Sequence, residues 1–442
     1  MLVSLTLSSP NGEICSGATN AGNAVRLDYQ SSGGALTNVV VVGAGAAGIM
    51  AAITAASAGA DTVLLERTAD GGRKILISGG GRCNILPAQL DESRFVTDSS
   101  TATLRNIIRS WPLAEQIAFF EREATLPLVE ETESAKLFPA SHRARDVRDG
   151  LLALAGRRGA RFRPNASVTG ASPTPGGWKV ELESGAPLEA DALILATGGL
   201  SVPKTGSDGH GLRIAEQLGH TLHPTYAALT PLTATPTPFG HLAGISLPVT
   251  ITARDGRRTA TATGGFLFTH HGYSGPAVLD VSHVAVRADP ASPAEIRVRW
   301  TGLDESGWDT ALRPAGTRTV LGTLRPRLPE RLAMALLGVV GVDPASPLAQ
   351  LRRAERFRLV ETLVRGVLPW TGHEGYKKAE VTGGGVSLAE IDPRTMESRR
   401  HRGLFLCGEM LDAFGPIGGY NFLWAWVTGR AAGLGAAQRP AR

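Results

Sequence analysis

The chain has 442 residues, 43% hydrophobic and only 19% charged, which excludes a disordered protein and gives length for more than one core. Its 45 basic against 40 acidic residues leave a formal charge of +5, with the arginines interspersed among acids; this argues for a solvated surface and against a nucleic-acid face. Three cysteines, none in CxxC spacing, exclude a disulfide scaffold, a thiolate metal site and a dithiol redox centre, and point to a reducing cytosolic compartment.

Residues 1–37 are rich in Ser, Gly, Asn and Thr, lack the basic start and apolar core of a secretory signal, and are expected to be a disordered extension. No apolar run reaches the roughly 18 residues needed to cross a bilayer, so no membrane span is expected. The run Val39 to Val42 reads as a buried strand, followed by the glycine turn Gly43-Ala44-Gly45-Ala46-Ala47-Gly48 and an Ala-rich helix from Ile49 to Ala58. Gly43 permits the tight turn, Gly45 lets backbone approach a pyrophosphate, and Gly48 lets the helix pack close on the sheet. The pyrophosphate then meets the positive end of the helix dipole and its free N–H groups. A second strand, Thr62 to Leu65, ends at Glu66, where a carboxylate would take adenosine ribose hydroxyls and repel a 2'-phosphate. The ligand is therefore FAD or NAD, not NADP.

A glycine- and base-rich loop covers Gly71 to Asn84, and helical patterns follow near 102–122 and 144–157. Ala166 to Gly170 and Trp178 to Glu183 read as a strand pair joined through Pro173, Pro175, Gly176 and Gly177. The run Ala192 to Gly199 suits a parallel strand buried on both faces, with its glycine end where open α/β sheets bind ligands. From about 222 the texture becomes antiparallel β, with strands at Val249–Ala253, Thr259–Phe268 and Glu295–Trp300. Apolar residues at helical spacing over Leu332–Val340 and Leu348–Val367 mark a small helical insert between about 303 and 366. Gly403 to Glu409 then reads as another buried strand, and Asn421 starts a helix reached through Gly415, Gly418 and Gly419. A nucleotide-binding domain is thus split by an insertion, and three glycine-bearing loops, 71–84, 196–209 and 408–421, are brought to one sheet.

Six segments carry a specific likeness: Gly72 to Asn84, Ala196 to Gly199, Phe268 to Pro276, Thr382 to Val386, Thr395 to Ser398, and Gly408 to Asp412 with Gly418 to Asn421. Together they resemble the BaiN/YhiN-like flavoproteins, also labelled aminoacetone-oxidase-like or NAD(P)/FAD-dependent oxidoreductases, over about residues 38 to 436. The resemblance implies an α/β, Rossmann-like FAD-binding domain of the glutathione-reductase type, split by a β-barrel-like domain that carries the helical insert. The expected division is an FAD-binding part at 38–221, barrel-like parts at 222–302 and 367–382 around the insert 303–366, and a second FAD-binding part at 383–442. It further implies FAD at the glycine turn (Gly43, Gly45, Ala46, Ala47, Gly48) with Glu66 and Arg67 at the ribose. Arg73, Lys74, Ser78, Gly79, Gly81, Arg82 and Asn84 would line the ribityl and isoalloxazine region. Ala196, Thr197 and Gly198 would border the cofactor, Gly408, Glu409 and Asp412 would lie near the ribityl or pyrophosphate, and Gly418, Gly419, Tyr420 and Asn421 would meet the pyrimidine edge.

His270, His271 and Tyr273, on a turn-rich segment of the second domain, are the candidate acids or bases, while Cys83 and Cys407 read as packing residues. The expected activity is reduction of flavin by NADH or NADPH and reoxidation by a small enone- or ketone-like acceptor or by oxygen. Only one dinucleotide fingerprint is present, so the pyridine nucleotide would dock transiently. The alternatives are an oxidase of a small amine or ketone that needs no NAD(P)H, and a non-catalytic or RNA-associated FAD-binding protein. Departures at Phe422 to Trp426 and at the paired histidines fall where substrate contact is expected, so substrate does not carry over with the fold.

Overall fold

A computed structural model of the chain describes residues 5–8, 14–17, 36–314 and 316–441. In the N-terminal extension, Leu5–Ser8 pairs antiparallel with Ile14–Gly17. The expected disorder otherwise concerns residues outside those described, apart from 36 and 37.

Five strands form a parallel sheet in the order Leu404–Leu406, Ala192–Leu195, Asn38–Val42, Asp61–Leu65, Arg161–Arg163. Asn38–Val42, Ala192–Leu195 and Leu404–Leu406 are short, mostly apolar and almost wholly buried, as a sheet covered on both faces requires. Register places Val42 beside Leu65 and Leu195, and Leu195 beside Leu406. The turns starting at Gly43, Glu66, Ala196 and Cys407 therefore emerge side by side at one edge.

The helices Ala46–Ser57 and Tyr420–Ala437 pack against each other through small residues. A Cβ added at Gly429 would lie 2.3 Å from the Ala47 carbonyl oxygen, and one at Gly433 would lie 2.1 Å from Thr54 Oγ1. The first and last segments of the folded region thus meet backbone to backbone. Val168–Thr174, Gly177–Leu182 and Leu188–Ala190 make an antiparallel meander against the parallel sheet. The helix expected across 102–122 is interrupted: Thr101–Arg109 ends before Pro112, whose ring and missing N–H stop it, and Leu113–Ala118 follows. The loop at 71–84 contains a short helix, Arg73–Ile77. Cys83 and Cys407 are buried free thiols, and burial pushes the Cys83 thiol up to about 12.

A second core is built on seven antiparallel strands in the order Gly366–Val367, Glu295–Arg299, Ser246–Arg254, Thr259–Thr269, Gly272–Ser274, Leu232–Thr233, Gly372–His373. Only residues 368–371 separate its two edge strands in sequence, so one short run bridges both edges and the sheet curls into a barrel-like body. Helix Pro276–Val286 packs on it, where the valine-rich sequence gave no helical expectation. The helices Glu330–Val340 and Arg353–Arg365 belong to the insert; the latter starts five residues after the expected Leu348 and ends at Arg365. The chain leaves the parallel-sheet body along Leu222–Ala228 and returns along Val381–Val386. These strands pair with each other, Leu222 opposite Val386 and Ala228 opposite Val381. Among the described residues no helix is long and apolar enough to cross a membrane.

A buried histidine fastens the segment before the last strand. His220 Nδ1 lies 2.9 Å from Glu390 Oε2 and its Nε2 lies 3.1 Å from Ser398 Oγ, while Glu390 also accepts from Arg400 at 2.6 Å and the Thr221 N–H at 3.0 Å. Burial alone would raise the Glu390 carboxyl, but hydrogen bonds from Arg400, Thr221 and His220 outweigh it and hold the group at about 2, below its usual 4.5. Burial likewise holds His220 below its usual range. Both depressed values stabilise the fold above the unfolded-state pKa, and that stability is lost as pH falls. For Glu390 the shift corresponds to about 3 kcal/mol at most, reduced by solvent at the half-exposed Arg400. In thermal melts, Glu390→Gln should therefore lie well below the wild type at pH 6, with the gap narrowing below about pH 4.5 and closing only as pH falls through about 2. A gap that stays constant with pH would contradict this account.

Candidate functional site

Where the four turns meet, the protein encloses an open cavity of about 580 Å³. Gly43, Gly45, Ala46 and Ala47 line it. Gly43 adopts φ +101°, and a Cβ there would sit 2.6 Å from the Ala196 carbonyl oxygen. A Cβ at Gly45 would meet nothing within 4 Å, so this residue opens on free space at the start of helix Ala46–Ser57, which has no side-chain cap. Gly48 does not line the cavity; it packs against the Gly43 backbone beneath the turn.

Glu66 and Arg67 also line the cavity. Glu66 Oε2 accepts from the Ala44 N–H at 2.9 Å, and Oε1 accepts from the Thr68 N–H and hydroxyl at 2.9 and 2.8 Å. The carboxylate thus braces the glycine turn and still has acceptor capacity toward the cavity. Glu66→Ala is expected to weaken FAD binding roughly 10- to 150-fold, the loss of about 1.5–3 kcal/mol typical of a charged hydrogen bond. FAD content after exhaustive dialysis measures this; retention equal to wild type would remove the ribose role.

Arg73, Lys74, Ser78 and Asn84 border the cavity, whereas Gly79, Gly81 and Arg82 do not. Arg82 instead reaches Glu131 at 2.8 Å and lies over the Phe138 ring. Lys74 Nζ pairs with Glu409 and donates to Ser201 Oγ at 2.7 Å. The Thr382 N–H and hydroxyl donate to Glu409 Oε1 at 3.0 and 2.9 Å, and Thr382 Oγ1 accepts from the Leu200 N–H at 2.7 Å. Four distant segments are tied together here. Ser201 and Thr382 were not predicted as site residues, although Thr382 opens one of the recognised motifs.

Ala196, Thr197, Gly198, Gly408, Gly418, Gly419 and Asn421 line the cavity with Glu409. Helix Tyr420–Ala437 begins at Gly419, in a left-handed conformation (φ +92°), with no side-chain cap. The Asn421 amide is committed to Gly415, accepting its N–H and donating to its carbonyl, both at 2.9 Å. The first-turn N–H groups are thereby left as the free donors beside the cavity.

Two predicted cofactor contacts serve the scaffold instead. Asp412 Oδ2 accepts from Thr97 Oγ1, the Asp98 and Ser99 N–H groups and Ser99 Oγ at 2.8–3.0 Å, anchoring that loop away from the cavity. The Tyr420 hydroxyl lies 3.3 Å from the Gln89 carbonyl, also off the cavity. The structure places none of the catalytic candidates at the cavity wall. His270 and His271 are exposed on the turn between Thr259–Thr269 and Gly272–Ser274, and Tyr273 is fully buried among Phe266 and Phe268 in the second core. Their turn-rich segment belongs to the barrel-like sheet, which carries them elsewhere.

The residues present fit a dinucleotide. Two helix starts without side-chain caps, at Gly45 and Gly419, border one cavity, and Thr197 Oγ1 and His210 Nε2 are buried beside it without a protein partner. Comparison with known proteins agrees. The model of the HI0933-like protein Rossmann domain matches residues 37–435. The 3-dehydro-bile acid delta(4,6)-reductase of Clostridium scindens is 32% identical over 414 residues, covering 92% of this chain and 100% of that protein. The ribosomal RNA dihydrouridine synthase of Escherichia coli K12 is 32% identical over 403 residues, covering 88% and 96%. Among solved structures, the open conformation of a flavocytochrome c3 fumarate reductase aligns with 93% of this chain and 80% of its own at 17% identity and a TM-score of 0.47.

Proposed function

The chain belongs to the HI0933-like Rossmann-domain family of FAD-dependent oxidoreductases, and from that premise we propose that it reduces a carbon–carbon double bond conjugated to a carbonyl, with NADH or NADPH as electron donor. The observation that carries this reading is the chemistry shared by two relatives of equal similarity. One is named for a delta(4,6) unsaturation in a 3-dehydro bile acid, the other for converting uridine to dihydrouridine. Both names describe saturation of a double bond polarised by a carbonyl.

FAD in this cavity would supply two-electron transfer between a nucleotide donor and such an acceptor. The chain's own residues then have distinct tasks. Gly43, Gly45 and the helix start behind them would hold the pyrophosphate, and Glu66 the ribose. The free N–H groups after Gly419 would stabilise negative charge at the pyrimidine edge of the ring system. Ile77, Phe414, Ile417 and Phe422 add apolar wall to the cavity and exclude water from the acceptor. Ile77 is 54% exposed, a large apolar side chain left for a ligand to cover.

Anaerobic mixing of the flavin-loaded protein with NADH and NADPH, followed by a cyclic enone, tests the reading. Bleaching by one nucleotide and return of colour with the enone is expected. A flavin that stays yellow with both nucleotides but bleaches with an amine or ketone would replace this reading with an oxidase. The Escherichia coli relative brings a second acceptor into view, a uracil in ribosomal RNA, and the exposed Lys377 and Lys378 on the cavity rim favour an anionic polymer there. Dihydrouridine content of ribosomal RNA from cells with and without the protein decides between the two.

A further inference from the structure

Six carboxylates border the cavity: Glu66, Asp70, Glu183, Asp208, Glu380 and Glu409. Four are committed: Glu66 to Ala44 and Thr68, Asp70 to Arg73, Asp208 to Arg67, and Glu409 to Lys74 and Thr382. Glu183 belongs to the ribose end, where its N–H bonds the Ser167 carbonyl and the neighbouring Ala166 N–H bonds the Glu66 carbonyl. Glu380 is left. Among the described residues its carboxylate makes no hydrogen bond or ion pair. Its N–H donates to the Leu229 carbonyl at 3.1 Å, and the next residue, Val381, packs with Leu229, Phe414 and Ile417. Glu380 therefore stands beside the loop 413–419 that feeds the uncapped helix start, the end of the cavity expected to hold the reacting ring.

The charged groups around it are Lys74, already paired with Glu409; Lys136 from the strand Lys136–Pro139; and Lys377 and Lys378 on its own segment. Behind the loop, Asp280 accepts the Ile417 N–H at 2.7 Å and faces Arg94, but it does not border the cavity. Glu380 is exposed on the open cavity wall, and desolvation by the protein about it raises its carboxyl above the ordinary range, against the pull of Lys74 and Lys136.

We propose that Glu380 is the proton donor of the reductive step, an inference that rests on the reductase reading above. With reduced FAD bound in the cavity to supply the hydride and its two electrons to the β-carbon of the acceptor, the double-bond electron pair would shift to the α-carbon and take the proton of the Glu380 carboxyl. The Glu380 carboxylate would then regain a proton from solvent, the two electrons having come from the cofactor. Lys74 cannot take this role while it is held by Glu409 and Ser201.

The test compares wild type, Glu380→Gln and Glu380→Asp as FAD-loaded proteins, with FAD content as the folding check. In single-turnover reoxidation by 2-cyclohexenone, the wild-type rate should fall as pH rises through the ionisation of the acid. Glu380→Gln should be about 100-fold slower or more, without that alkaline limb, and Glu380→Asp should keep the limb at a shifted pH. A readout free of turnover is the absorbance of the resting oxidised flavin against pH. It should show an ionisation in wild type that is missing in Glu380→Gln. Reoxidation of Glu380→Gln within threefold of wild type with the same limb overturns the assignment. If that variant does not fold, an unshifted limb and unchanged rate in Glu380→Asp overturn it. A wild type inert to the enone overturns the reductase reading and this role with it, whereas a resting-flavin ionisation that persists in Glu380→Gln overturns the placement of Glu380 alone.

Discussion

Gly48→Ala should yield a protein that does not hold FAD. The added Cβ would sit 1.8 Å from the Gly43 carbonyl oxygen and 3.1 Å from the Ala196 Cβ. The clash is with backbone, so no side-chain rotation relieves it. Either helix Ala46–Ser57 lifts from the sheet or the turn opens, and both dismantle the pyrophosphate cradle. Overpacking a core costs about 1–3 kcal/mol where neighbours can yield; here the cost should reach or exceed the top of that range. FAD affinity should fall more than about 100-fold, a loss beyond 2.7 kcal/mol. The control is Gly45→Ala, where a Cβ meets no protein atom within 4 Å. That variant should keep the thermal stability of the FAD-free protein and lose only cofactor affinity. Stoichiometric FAD in Gly48→Ala, read from its absorbance per chain, would contradict the assigned packing role.

Glu409→Ala should be the most damaging single change in the polar part of the site. It leaves the Lys74 ammonium without its counter-ion and deprives Ser201 and Thr382 of their common acceptor. Removing one member of a buried pair costs about 3–5 kcal/mol, but the Lys74 and Glu409 side chains keep 25% and 17% exposure, so about 2–4 kcal/mol is expected. Lys74→Met in the same background should recover part of the loss, with a coupling of about 1 kcal/mol or more by urea denaturation. Additive effects would show that the two charges act independently.

Much of this architecture is legible in sequence because parallel strands buried on both faces leave unbroken aliphatic runs, as Val39–Val42 and Ala192–Leu195 do. The glycine turn is equally readable, since each glycine answers a distinct steric demand. What stayed hidden depends on partners far along the chain. Asp412 has the look of a ligand contact until its bonds to Thr97 and Ser99, more than 300 residues away, appear. Asn421 lies where expected, but its amide closes on Gly415. Helix Pro276–Val286 escaped notice because its valines favour strand, and only Gly275 and Pro276 at its start hint otherwise. His270, His271 and Tyr273 misled because a polar turn announces exposure without saying which face it joins. Glu380 carries no signal of its own, standing two residues before the motif that begins at Thr382.

The outgoing and returning connectors, Leu222–Ala228 and Val381–Val386, run side by side. The excursion between them therefore starts and finishes at neighbouring points, like a cassette plugged into a single socket. Such a cassette can be resized or exchanged by recombination while the parallel sheet keeps its register.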